Sequence, residues 1–381
     1  MLVISDAKAL ADFSAELAKK PFVAVDTEFM REKTYWPILC LIQAAADGME
    51  AIIDPLAEGM DLAPFLEVMG ERNVLKVFHA ARQDLEIFHK LMGAVPAPIF
   101  DTQIAAMACG FGDQIGYEPL MRDLVKAKID KGSRFTDWAR RPLTDKQLRY
   151  ALSDVTHLRD AYPILRRKLE KGERAHWIEA EMQALYDPDL YFIRPENAWK
   201  RLKLKGVRKK ELAILMALAA WREAEAQNRD VPRSRILKDE ALFELARLNP
   251  QSPQELAKAR SISSGYERSS AGAALLDAVR TGAATPAAAL PDIEQPRTSK
   301  PPADVVELLK VLLKRQCELY DVAPKLIASS ADIEEIARND NADAPALKDW
   351  RRDVFGEAAL KLKRGEIGLR LNKGEIDLIE F

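Results

Sequence analysis

FVAVDTEFM, residues 22–30, places an aspartate and a glutamate where a hydrophobic strand runs out. Phe22 to Val25 are strand formers. If the extended backbone continues, Asp26 and Glu28 emerge on one face, because side chains alternate with a period of two. Two neighbouring carboxylates repel unless positive charge, from a basic side chain or a metal ion, stands between them. The stretch therefore marks both a sheet strand and the rim of a site.

Working outward, "LCLIQAA", "EAIIDP", "VLKVFHA" and "PIFDT" continue the β-like pattern to about residue 115. The first runs follow one another across short gaps, which predicts a meander. The helical stretch "DLEIFHKLMG", ending at Gly93, separates the later ones. This predicts an α/β domain with a mixed sheet flanked by helices. From about residue 118 the strand signal fades and helical patterns run to near the end.

Residues 207–280 carry Leu212, Leu215, Leu218 and Trp221 at helical spacing, then "SPQE" at 252–255, a cap with Pro at the first turn and Glu closing a capping box. After the Ala/Pro-rich linker "TGAATPAAALPDIEQPRTSKPP" a second helical segment echoes the first at an offset of about ninety residues. Asp230-Val231 matches Asp321-Val322, and Glu244 to Arg247 matches Glu335 to Arg338. A shared offset favours duplication.

A chain of 381 residues predicts two or three domains. With 57 basic and 59 acidic residues the net charge is −2, so nucleic-acid binding would have to rest on local patches. The three cysteines, Cys40, Cys109 and Cys317, are widely separated, and neither they nor the four histidines show zinc-ligand spacing. A reducing interior fits. The N-terminus lacks a basic start followed by an apolar core, and no apolar run could span a bilayer. The expectation is a cytoplasmic protein without a membrane partner.

Two further segments carry acids. After "VLKVF" the chain turns through His79-Ala80-Ala81, and Asp84 falls at the next helix start, where alone it reads as a dipole partner. In "LTDKQLRYALSDVTHL", Thr144 and Gln147 form a capping box, so Tyr150 and Asp154 stack one turn apart. Each signal alone is weak. Together, Asp26, Glu28, Asp84 and Asp154 supply the hard oxygen ligands for two divalent ions, Mg2+ or Mn2+, of the kind that clamp an in-line phosphoryl displacement. Tyr150 is then placed to orient or help deprotonate the attacking water.

"DTEF", "HAARQDLEIF" and "YALSD" resemble the three motifs of the DEDD exonuclease superfamily, in the branch whose third motif is Tyr-x-x-x-Asp. "AVDTEFMREKTYWPILCLIQ" and "DKGSRFTDWARRPLTDKQLRYALSDVTHL" are similar to the bacterial ribonuclease D family, and "LMALAAWREAEAQNRDVPRSRIL" to its helical HRDC domain. The resemblance implies a ribonuclease-H-like exonuclease domain over 1–200, an HRDC domain over 207–288 and a divergent HRDC-like domain over 300–381. It implies 3′-5′ exoribonuclease activity at a two-metal site with Asp26, Glu28, Asp84 and Asp154 as ligands and Tyr150 as the water-positioning phenol. It also implies an RNA partner with a free 3′ hydroxyl, such as a tRNA precursor, and release of nucleoside 5′-monophosphates. A monomer is expected. Ala80 stands where the wider superfamily often has Asn.

Further substrate contacts are expected from Phe29, Met30 and Tyr35, by stacking on the terminal nucleotide, and from His79; for each, a structural role competes on equal terms. Asp101 reads as a helix cap and Asp54 as a turn residue. The run "KRLKLKGVRKK", 200–210, contains no acid and is expected to touch phosphates. The rivals are a DNA exonuclease, which matched RNA and DNA oligonucleotides would separate, and a non-catalytic RNA-binding adaptor, which retention of all four acids disfavours.

Overall fold

The computed structural model of the chain describes residues 1–129, 132, 136–292 and 300–381. Positions 130–131 and 133–135, before the third motif, and 293–299, within the expected linker, lie outside the described residues.

Six strands form one sheet: β1 (Leu2–Ile4), β2 (Phe22–Met30), β3 (Ile38–Ala46), β4 (Met49–Ile53), β5 (Leu75–Phe78) and β6 (Ile99–Asp101). Their order is β1-β4-β3-β2-β5-β6. β1 runs parallel to β4 and β3 antiparallel to it, whereas β2, β5 and β6 are mutually parallel along that edge. The sheet is mixed, as expected, with β2, β3 and β4 adjacent. β1 is an addition: three residues are too few to show a period, and pairing with β4 alone makes them a strand.

Helices α1 (Ala7–Leu17), α2 (Ala63–Gly70), α3 (Arg82–Met92), α4 (Thr102–Ala108), α5 (Tyr117–Val125), α6 (Asp145–Lys171) and α7 (Glu179–Ala184) accompany the sheet. β3 is shielded from Cys40 to Ala46, so it reads as one apolar run rather than an alternation. α3 stops at Gly93, whose φ of 69° is open to glycine at little cost.

The chain divides into two compact units, one of Met1–Glu28, Leu41–Tyr186 and Gln295–Phe381, the other of Phe29–Cys40 and Asp187–Glu294. The second unit contains α8 (Lys209–Asn228), α9 (Arg233–Ile236), α10 (Asp239–Leu248), α11 (Pro253–Leu256) and α12 (Ser270–Ala284). Leu212, Leu215 and Leu218 of α8 pack with Leu242 and Leu245 of α10 and Leu275 and Val279 of α12. Ser252 caps α11 by accepting from the Glu255 amide, with Pro253 at the first turn. A smaller cluster joins Tyr35 to Ala226 and Ile236.

The C-terminal part of the first unit holds α13 (Ala303–Tyr320), α14 (Pro324–Ile327), α15 (Ser330–Arg338), α16 (Asp349–Arg351), α17 (Glu357–Arg364) and the hairpin β7 (Ile367–Asn372) and β8 (Glu375–Glu380). α13, α14 and α15 repeat the order and spacing of α8, α9 and α10. Asp230 and Asp321, just past the two long helices, share a left-handed backbone with φ of 48°.

Candidate active site

β2 carries Asp26 and Glu28 with buried Thr27 between them. Asp84 lies in the first turn of α3, is 6% exposed, and accepts from the Thr27 hydroxyl at 2.5 Å. The turn that delivers it is held from below. Asp101 caps α4 through the Gln103 amide at 2.8 Å, as its position suggested, and also accepts from the amides of Ala80 at 3.0 Å and Ala81 at 2.9 Å.

The Thr144/Gln147 capping box starts α6, which presents Tyr150 and Asp154 one turn apart. A cavity of about 280 Å3 is lined by Asp26, His79, Tyr150 and Asp154 together with Tyr117. Tyr117 was not legible in the sequence, since "GYEPL" has no distinctive spacing. Its hydroxyl donates to the backbone carbonyl of Asp154 at 2.5 Å, and lies 3.0 Å from that of Ser153. Behind Tyr150 sits Trp138, 2% exposed, with ring centroids 6.1 Å apart and planes at 29°. Arg141 fixes that loop: its Nη1 donates to the Trp138 carbonyl at 2.6 Å, and its Nε and Nη2 each reach Asp54 at 2.7 Å. Asp54 is a turn residue, accepting from the Leu56 amide, and also the anchor of this loop.

The electrostatics are those of a surplus of negative charge. Burial raises the Asp26 carboxyl to about 6. Burial and then the charge of Asp26 push Asp84 well above the usual carboxylate range. Tyr117 is likewise raised, first by burial and then by Asp154 and Asp26. Among the described residues neither Asp26 nor Asp84 forms an ion pair with a basic side chain. Nor, among them, does any group of three or more acidic, His or Cys side chains converge closely enough to hold a metal ion as the side chains stand. The donor set is nonetheless all carboxylate and short of positive charge, which suits a hard divalent cation. Glu28 is partly exposed at the next same-face position of β2 and does not line the cavity.

Tyr35 corrects its expected role. It is 6% exposed, its hydroxyl donates to Glu223, Arg233 lies 4.9 Å over its ring and Trp36 packs edge-on at 4.7 Å. Such a ring has no face left for a nucleobase. His79 does border the cavity, but its Nδ1 lies 3.0 Å from the Thr102 hydroxyl and its Nε2 is buried. That hydroxyl donates to the Phe78 carbonyl, so Nδ1 carries the proton. Burial lowers the His79 pKa, which keeps it neutral. Phe29 and Met30, at the end of β2, are partly exposed.

Residues 1–170 match a 3′-5′ exonuclease family, and residues 211–279 match the HRDC domain. The chain is 50% identical over 367 residues to ribonuclease D of Nitrobacter hamburgensis, covering 96% of each chain. It is 47% identical to ribonuclease D of Granulibacter bethesdensis, covering 99% of this chain and 96% of that one. The chain belongs to the ribonuclease D family. As a ribonuclease D family member it is a 3′-5′ exoribonuclease, with a ribonuclease-H-like mixed-sheet domain and an HRDC domain. The crystal structure of Escherichia coli RNase D, described as an exoribonuclease involved in structured RNA processing, superposes with a TM-score of 0.80 at 28% identity, covering 95% of this chain and 98% of that one. Among the described residues no helix of this ribonuclease D family member is long and apolar enough to cross a membrane.

Proposed function

We propose that this exoribonuclease trims the 3′ ends of structured RNA precursors such as tRNA, one nucleoside 5′-monophosphate at a time, with Asp26, Glu28, Asp84 and Asp154 holding divalent metal and Tyr150 positioning water. The observation that carries the reading is the cavity shared by Asp26, Tyr150 and Asp154, with Asp84 close enough to Asp26 for the two charges to oppose each other. Asp26, Glu28, Asp84 and Asp154 would hold two Mg2+ or Mn2+ ions, which would supply Lewis-acid stabilisation of charge on the reacting phosphate. The residues of the chain do the rest. Tyr150, backed by Trp138, orients the attacking water, and the strand and helix bearing the acids keep them rigidly in place.

Support for structured RNA comes from the E. coli relative and from the basic run 200–210. Lys203 and Lys205 line an open cavity of about 350 Å3 together with Arg247, Phe243 and Glu211, the acid being paired with Arg208. Neither lysine has an ion-pair partner among the described residues. The expected boundaries, 1–200, 207–288 and 300–381, remain the proposed domain reading, with the third segment HRDC-like and the protein a cytoplasmic monomer.

The test uses labelled RNA, single-stranded and stem-loop, with Mg2+, Mn2+ or chelator. Stepwise mononucleotide release by the wild type, stopped by chelation and by Asp154→Asn, is expected. Wild-type activity in Asp154→Asn would remove the site assignment.

A further inference from the structure

The second helical repeat is seated on the segment that precedes Tyr117, and every bond of the seat lies within the first compact unit. Arg174 donates to the carbonyls of Ala108 at 2.9 Å, Asp321 at 2.9 Å and Tyr320 at 2.5 Å, tying the end of α4 to the end of α13. The Ala323 amide donates to the Met107 carbonyl at 2.9 Å. The Lys325 amide reaches Asp113 at 2.9 Å, and its ammonium reaches Gln114 at 2.8 Å. Between these bonds Gly110, with φ of 80°, lies so close to Asp321 that a Cβ there would stand 2.0 Å from its carboxylate oxygen. A stack completes the seat: Arg174 lies over Trp177, Trp177 is parallel to Trp350 at 4.4 Å, and Arg351 lies over Trp350 while bonding Glu181 at 2.5 Å.

Residues 107–114 are thus pinned from several directions, and the next residues, Gly116 to Pro119, form a wall of the catalytic cavity. Tyr117 passes the constraint on, because its hydroxyl bonds the backbone of Asp154 itself. The duplicated corner supports a docking role. In the first repeat Asp230, with the same φ of 48°, accepts through its carboxylate from the amides of Tyr35 at 3.1 Å and Trp36 at 3.0 Å, whereas Asp321 accepts through its backbone carbonyl from Arg174 and sets its side chain against Gly110, so each repeat places this aspartate against a segment of the exonuclease sequence.

We propose that the second helical repeat is a brace for the catalytic cavity rather than a platform for RNA, with Gly110, Arg174 and Tyr117 as positioning residues that set where Asp154 stands. The proposal rests on the site reading above.

A trinucleotide RNA separates the two roles, since it carries too few phosphates to engage a distant platform. For Gly110→Ala, folded by circular dichroism at the assay temperature, kcat on the trinucleotide is expected to fall about tenfold with KM within about twofold of wild type, as misplacement of a reacting group costs rate rather than binding. Asp321→Gly added to Gly110→Ala removes the clash with the carboxylate and is expected to recover part of the rate, the strain of a left-handed alanine remaining. Tyr117→Phe is expected to give a similar loss that does not multiply with that of Gly110→Ala. Should Gly110→Ala not fold, Arg174→Met, which keeps packing over Trp177 but loses the carbonyl bonds, carries the same expectation. Wild-type trinucleotide kcat in these variants, or a loss confined to KM on long structured RNA, overturns the brace. Asp154→Asn on the same trinucleotide is the control. If it stays active the site reading fails, whereas if it is dead and the Gly110 and Arg174 variants are not, only the brace fails.

Discussion

Asp26 carries an unfavourable energy of burial in the folded chain. Its carboxyl is raised in the folded chain to about 6, against an ordinary value near ~3.9. A raised acid contributes stability that is fully present below the unfolded value and lost as pH rises through the folded one. The metal-free wild type is therefore expected to lose melting temperature relative to Asp26→Asn between pH ~4 and ~7, and added Mg2+ or Mn2+ should stabilise the wild type far more at pH ~7.5 than at pH ~4.5. Parallel pH profiles for the two proteins would count against a charge-starved site. Ala80 is a second local cost. Its φ of 57° is left-handed, a region that Asn and Gly tolerate better than Ala, which gives a physical reason for the Asn often found at this position. Ala80→Gly is expected to raise stability by about 0.5–1 kcal/mol in thermal unfolding, with activity unchanged. Lys76 was read as part of a hydrophobic strand and is fully buried, its ammonium meeting the carbonyls of Glu71 and Val74 at 2.7 Å and that of Ala97. No local pattern announces a buried lysine, because its partners come from turns at other points of the chain.

Among the elements, the segment between β2 and β3 departs furthest from the sequence reading. It follows directly on Asp26 and Glu28 and looked like a substrate-stacking loop. Instead it packs within the helical unit, where Glu223, only 1% exposed, accepts from Tyr35 and Arg233. Removing the acid strands a half-buried guanidinium and a buried phenol, so Glu223→Ala is expected to destabilise the second unit by about 2–3 kcal/mol, read from hydrogen exchange of the α8 amides. A change below about 1 kcal/mol would mean the trio is worth no more than a surface pair. Helix starts were far more legible. Thr144, Ser252 and Asp101 cap as read, since a cap is made between residues two or three apart and needs nothing from the rest of the fold, although Glu255 accepts from the Gln251 amide and so does not close the expected box on Ser252.

At the scale of the whole molecule a net charge of −2 leaves any grip on a polyanion to local clusters of cations. Replacing Lys203 and Lys205 by alanine is expected to lower the slope of log K against log salt for structured RNA by about two, roughly one per lost phosphate contact, while leaving trinucleotide hydrolysis alone. An unchanged slope would take the run 200–210 out of the RNA path. The two helical repeats, recognisable as a pair from their common offset, seat different parts of the exonuclease sequence: the first holds Tyr35 and Trp36, the second Gly110. Their common offset was visible in the residues, whereas the segments they contact were not.

By itself the sequence determined the strand that carries Asp26 and Glu28, the helix that carries Tyr150 and Asp154, the mixed sheet and the family, because alternation, capping and motif spacing are local properties of a chain. Only the tertiary structure decided that Tyr117 bonds the backbone of Asp154, that Arg141 and Asp54 hold Trp138 behind Tyr150, and that Tyr35 is spent on packing. Tyr117 and Asp154, Arg141 and Asp54, and Tyr35 and Glu223 stand 37, 87 and 188 residues apart, and burial, which sets the raised carboxyls of Asp26 and Asp84, exists only once the chain has closed around them.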